Sequence, residues 1–276
     1  MRNWKKWIGF GVLALAITSC DYIDDPIQGG GNNPNPTDSI VKKVLVEDYT
    51  GHKCPNCPAA AEEAENLKEL YGKQVVLIAV HAGFFATPSP GFDYDFRTTE
   101  GDDLNDFFGF TAYPSGMVDR TGYSGQHILN YQAWPPKVAD ELTRDPEVSI
   151  DLTATLNGSS IDAEVEIESL TELDGSYYLV LAITEDSIVQ PQVNQLPQGG
   201  TETLSDYRHN HVLRGHMNGT WGDEVISGNF PVGQTVTYSN SINLGTDWNE
   251  NNLHVVAYLY DISDYRVLQA EEVKLP

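Results

Sequence analysis

Two cysteines three positions apart, Cys54 and Cys57, constrain this 276-residue chain more than any other feature. A disulfide between them would close a loop of only four residues. By loop-closure entropy such a loop constrains the unfolded chain by about 2 kcal/mol, against about 3 for a loop of fifteen. The pair is therefore a poor staple and a plausible redox site. Its neighbours say where it sits. Val44-Leu45-Val46 with Tyr49 reads as a short buried strand, and Thr50-Gly51-His52-Lys53 as a turn. Cys54-Pro55-Asn56-Cys57-Pro58 then opens a helix, since a proline suits the first turn, where its missing N–H has no partner. Ala59 to Tyr71 is made of strong helix formers, with Ala60, Ala64, Leu67 and Tyr71 on one face, and Gly72 closes it. Gln74 to His81 is an apolar, β-branched run, as expected of a buried parallel strand. The pattern is strand, helix, strand, with both cysteines at the helix N-terminus.

The third cysteine, Cys20, belongs to a different context. Arg2, Lys5 and Lys6 form a charged head, and the apolar run Ile8 to Ile17 is too short to span a bilayer, which takes about 20 residues. These features describe a secretory signal peptide over residues 1–19. Ile17-Thr18-Ser19-Cys20 resembles the lipobox of bacterial lipoproteins, which implies cleavage before Cys20 and lipidation of its thiol. The alternative is an ordinary signal peptide with a chance cysteine. Residues 20–39, rich in Gly, Asn, Pro and Asp, read as a flexible tether. Asp21, Asp24 and Asp25 resemble the surface-export signal of Bacteroidota lipoproteins, although in enteric bacteria an acid at that position implies inner-membrane retention.

The net charge is −24, and the signal peptide holds three of the cations, so the mature chain is more acidic still. Such a surface repels nucleic acid, which is excluded as a partner. The expected partners are exported protein thiols or disulfides, the membrane through Cys20, and outer-membrane proteins. With Cys20 acylated, Cys54 and Cys57 are the only thiol pair, in an oxidising compartment.

The pattern changes at Asp145-Pro146. Before it, over residues 40–145, helical and strand signals alternate; Asp102 to Phe108 and Lys137 to Leu142 read as further helices. After it, over residues 146–276, seven short alternating runs from VSIDLTATL to YRVLQAEEVKL are separated by turn clusters such as Asn157-Gly158 and Asp174-Gly175. That reads as an all-β sandwich of immunoglobulin-like architecture. The strand–helix–strand with its Cys-x-x-Cys resembles thioredoxins, in which a cis proline faces the cysteines. Pro114, after Tyr113, is the candidate. The expected fold is an α/β thioredoxin-like domain followed by the sandwich.

Glu47 to Pro58, Asp95-Phe96-Arg97 to Gly101-Asp102, Ala112 to Gly116 with Asp119-Arg120, and His209 to Arg214 with Asn218-Gly219-Thr220-Trp221-Gly222 resemble the Omp28-related outer-membrane lipoproteins of Bacteroidota. That resemblance covers nearly the whole mature chain. It implies the same two-part fold and location at the outer membrane, and little about activity. One departure from thioredoxin is visible: Lys53 stands where thioredoxins carry Trp.

A reactive cysteine needs a lowered pKa. The helix N-terminus presents free N–H groups to Cys54, Lys53 adds a cation, and no acid precedes Glu62 in the helix. By analogy with thioredoxins, Cys54 attacks and Cys57 resolves. Asp48, six residues before Cys54, or its neighbour Glu47 would move the proton at Cys57, and Pro114 would shape the substrate groove. The leading expectation is thiol–disulfide exchange on exported proteins, with no cofactor. One alternative is a surface adhesin or assembly subunit with a passive disulfide. Another is copper or zinc held by the cysteines with His52, His81 or His127, since thiolate and imidazole suit both metals. His209, His211 and His216 read as exposed strand histidines.

Overall fold

A strand from Val44 to Thr50 (β1), buried along its whole length, anchors the molecule. The computed structural model describes residues 40–276; the expected signal peptide, the lipidation site Cys20 and the tether lie outside the described residues. β1 pairs in parallel with Val75–His81 (β2) and antiparallel with Ser115–Val118 (β3). The crossover from β1 to β2 is the helix Cys57–Tyr71 (α1). It ends at Gly72, whose φ of 58° suits glycine and whose N–H bonds to the Lys68 carbonyl. Three further helices follow: Gly83–Ala86 (α2), Thr99–Phe108 (α3) and Trp134–Glu141 (α4). Ala60, Ala64 and Leu67 of α1 pack with Trp134 and Val138 of α4 against Val44, Val46, Val75 and Leu77.

Ten strands complete the chain: Val148–Asn157 (β4), Ser160–Ser169 (β5), Leu173–Glu185 (β6), Ile188–Gln195 (β7), Thr201–His209 (β8), Val212–His216 (β9), Asp223–Phe230 (β10), Thr235–Asn243 (β11), Leu253–Asp261 (β12) and Val267–Lys274 (β13). β11, β5 and β4 form a three-stranded sheet that packs on one face of β6 and β12 through Val165, Ile167, Leu181 and Leu259. β7 and β8 form a separate hairpin.

The expected division into a thioredoxin-like α/β domain and a following immunoglobulin-like sandwich is not what the chain forms. Among the described residues thirteen strands accompany four α-helices, and no α/β domain stands apart. One eight-stranded sheet runs in the order β13-β12-β6-β9-β2-β1-β3, with β10 also on β6. It takes strands from both sides of Asp145-Pro146. The cause is the free edge of β2, whose unpaired amides need partners. β9 supplies them: Ala79 pairs with Val212, and the Ala79 N–H donates to the His211 carbonyl at 2.8 Å. β9 pairs in turn with β6, and β6 with β12. The core follows, since Leu45, Tyr49, Ile78 and Val80 share one cluster with Val180, Val256, Tyr258 and Val267. Residues 40–276 are a single compact unit.

The residues of the Asp119-Arg120 pair serve this union. Asp119 accepts the Leu45 N–H at 2.8 Å and pairs with Lys42 at 2.7 Å. Arg120 forks onto Glu47 with two 2.8 Å bonds and donates to the Tyr258 hydroxyl at 2.9 Å. Asn218 is likewise structural, bonding the Leu181 N–H and the Leu179 carbonyl. A Cβ on Gly222 would fall 2.1 Å from that same carbonyl, so only glycine fits.

Candidate functional site

The C-terminal end of β1 delivers the cysteine loop. Gly51 is required there, because a Cβ would lie 2.5 Å from the backbone of Phe85 in α2. The Cys54 N–H returns to the Gly51 carbonyl at 2.9 Å, and Cys54 and Cys57 are joined as a disulfide. α1 begins at Cys57 with no acid in its first turn, so its positive end lies at the sulfurs. The Lys53 ammonium sits 5.1 Å above the Phe84 ring.

Side chains alternate along β1, and this separates the two candidate acids. Glu47 points into the core shared with Tyr258, where Arg120 holds both its oxygens. Asp48 points the other way, towards α1. It is buried, and its Oδ1 has no partner in the protein. Burial pushes its carboxyl up to about 8. Pro114 is buried at the start of β3, after a cis bond from Tyr113. The Tyr113 ring meets Phe85, whose carbonyl accepts the Lys53 N–H at 3.1 Å. The proline loop thus borders the cysteine loop through α2.

The hairpin β7–β8 lies over the cysteine loop. The Val193 N–H donates to the His52 carbonyl at 2.8 Å, and the Gln195 N–H to the Pro55 carbonyl at 2.9 Å. Gln192 Nε2 donates to the Cys54 carbonyl at 2.9 Å. Cys54 is 1% exposed and Cys57 2%.

Between the hairpin, α1 and the sheet is a cavity of about 410 Å³. Cys57, Asp48, His81, Tyr207 and His209 line it, with apolar walls from Val46, Ala61, Ala64 and Leu77. Cys54 is not among the lining residues. Glu62 and Arg208, both exposed, stand at its rim. One side is closed by Glu65, which accepts from Asn210 at 3.0 Å. The Glu65 carboxyl is held below the usual range, first by its hydrogen bond with His211.

Three histidines gather around Phe96 behind this cavity. Ring centroids are 4.3 Å apart for His81 and Phe96, 4.6 Å for Phe96 and His209, and 5.6 Å for His52 and Phe96. Burial lowers all three: His52 and His209 to about 4, and His81 well below the usual imidazole value, helped by His209. Among the described residues no three His, Cys, Asp or Glu groups converge to hold a metal ion. His127 lies apart, against the Phe108 carbonyl. His209 and His216 are buried, contrary to the exposed-strand reading, and His211 lies in the turn between β8 and β9. The sequence offered little sign of the hairpin: Pro191 interrupts β7, and β8 is largely polar.

The family described as Outer membrane protein Omp28 matches residues 101–276, so the match begins after the cysteine loop. The solved structure of HBP35 of Porphyromonas gingivalis is similar at a TM-score of 0.65 and 17% identity, over 86% of this chain and 76% of that chain. A domain of the outer membrane lipoprotein Omp28 from Porphyromonas gingivalis aligns over 47% of this chain and 88% of that chain, at 21% identity and a TM-score of 0.30. No curated protein sequence matches the chain. At such identities the likeness to HBP35 concerns the fold alone.

Proposed function

The chain belongs to the Omp28 family of outer membrane proteins, and from that premise we propose that it carries out thiol–disulfide exchange at the Cys54–Cys57 pair. The observation that carries this reading is the disulfide at the N-terminus of α1 with the Asp48 carboxyl on the same cavity as Cys57. A thiolate attacking one sulfur forms a mixed disulfide and expels the other sulfur as a thiolate. The helix N-terminus stabilises that leaving charge. Asp48, raised to about 8, titrates close to neutral pH and can take or return the proton that a thiol loses or gains there. Glu47, held by Arg120, has no such part. An acylated Cys20 would keep the pair at the membrane.

A passive disulfide on a binding protein is the second reading, favoured by the near-complete burial of both sulfurs. One experiment separates the two. The full chain in detergent is equilibrated in glutathione and dithiothreitol buffers, and its free thiols are counted by alkylation. A potential between about −120 and −270 mV is expected of a working oxidoreductase. A value below about −300 mV, with no exchange with added thiols, would leave the structural disulfide.

A further inference from the structure

We propose that the substrate of this pair is a low-molecular-weight thiol of amino-acid size, which enters the cavity and exchanges at Cys57. The inference rests on the thiol–disulfide reading and adds the substrate class and the entry sulfur. Three observations support it.

The first is access. β7 is hydrogen-bonded along the cysteine loop at His52, Cys54 and Pro55, so a folded protein surface cannot approach Cys54 from that side. Of the two cysteines only Cys57 lines the cavity. The second is size. A space of about 410 Å³ falls in the range of small-molecule sites, about 300–1,000 Å³, and its rim carries exposed Glu62 and Arg208. The third is unspent polarity. Asp48 Oδ1, His81 Nδ1 and His209 Nε2 are buried without protein partners, and all three residues line the cavity. Buried polar atoms are normally hydrogen-bonded, so these three groups offer a polar ligand hydrogen-bonding partners in the cavity wall. Cys57 in the same wall marks this cavity as a place for a sulfur compound.

The exchange balances without another reagent. Asp48 in its ionised form takes the proton of the bound thiol R–SH. The thiolate attacks Cys57 Sγ, the Cys54–Cys57 bond breaks, and its electron pair leaves on Cys54 Sγ at the end of α1. A proton returned to Cys54 completes the mixed disulfide R–S–S–Cys57. A second R–SH attacks the R sulfur, releasing R–S–S–R and the Cys57 thiol. Two small thiols are oxidised and the protein disulfide is reduced. Cys54, the attacking residue by analogy with thioredoxins, is here the leaving sulfur.

The test compares L-cysteine with a reduced, unfolded protein bearing free thiols as reductants of the oxidised full chain. Cysteine is expected to react about tenfold faster per thiol, because access governs exchange at a covered site. The Cys54→Ser and Cys57→Ser variants are then treated with L-cystine, and the adduct is located by mass spectrometry. It should form on Cys57 of Cys54→Ser, and about tenfold more slowly on Cys54 of Cys57→Ser. Ala61→Phe, which fills the cavity, keeps both cysteines. It should slow cysteine about tenfold and leave the potential of the pair unchanged. Faster adduct formation on Cys54, equal rates for the protein thiol, or no effect of Ala61→Phe would overturn this inference alone. A pair that neither reductant reduces would remove the thiol–disulfide reading beneath it.

Discussion

Asp48 and Glu47 are adjacent carboxylates with opposite fates. One is neutralised in charge by a forked arginine, and the other is buried with no cation beside it. The consequence is a pH signature. Asp48 has an ordinary value of 3.8 and a folded value of about 8, so the folded state holds a proton that the unfolded state has lost. Stability from this group is complete below 3.8 and is lost as pH rises through 8. His209 has the opposite sign: lowered to about 4, it stabilises fully above 6.5, and that stability is lost as pH falls towards 4. Between 6.5 and 8 the Asp48 slope acts without the His209 slope, and 1.5 pH units correspond to about 2 kcal/mol. Chemical denaturation of Asp48→Asn should therefore lack a loss of about that size that the native chain shows over this interval. The same variant should reduce with dithiothreitol about 10²-fold more slowly at neutral pH, the usual loss for a positioned acid–base group. An unchanged rate would make Asp48 a buried structural acid.

At the scale of elements, the hairpin β7–β8 decides how the disulfide meets its surroundings. It docks on the cysteine loop through two backbone bonds and the Gln192 side chain. Gln192→Ala removes that side-chain tie at a cost of about 1 kcal/mol. The expected outcome is modest destabilisation and faster alkylation of Cys54 in the reduced chain, measured against Cys57 by peptide mapping. Faster labelling of Cys57 alone would mean that the hairpin does not shield Cys54. The hairpin is also the element hardest to read from sequence. Pro191 removes a ladder donor and shifts the register between Gln190 and Gln192, and β8 is largely polar with His209 its one buried residue, so no apolar alternation marks it. By contrast, α1 and β2 were legible to within a few residues, because a helix face of Ala60, Ala64 and Leu67 and an apolar β-branched run carry their own periodicity.

For the whole molecule, the decisive fact is that the eight-stranded sheet and one core cluster cross Asp145-Pro146. Unfolding should then be one cooperative transition, with tyrosine fluorescence and far-ultraviolet circular dichroism coincident. A fragment of residues 40–145 should be unfolded alone, since β2 would lose its β9 edge and Arg120 its Tyr258 partner. Glu47→Gln leaves Arg120 buried without its counter-ion and should cost about 3–5 kcal/mol in the same single transition. Two separated transitions would mean that the halves fold independently.

The sequence by itself determined the local elements around the cysteines, the acidic surface and the resemblance to the Omp28 family, because periodicity, charge and motif spacing are properties of neighbours along the chain. It left Glu47 as a candidate beside Asp48 and, by analogy with thioredoxins, Cys54 as the attacking sulfur. Only the tertiary structure set Glu47 against Arg120 and put Asp48 and Cys57 on one cavity. The strand alternation that separates the two acids acts against faces made by α1 and by Tyr258, and the hairpin that covers Cys54 begins more than 130 residues downstream of it. Strand pairing between distant segments is set by edge amides seeking partners and by apolar faces that must be covered, and neither is written in the order of residues near the site.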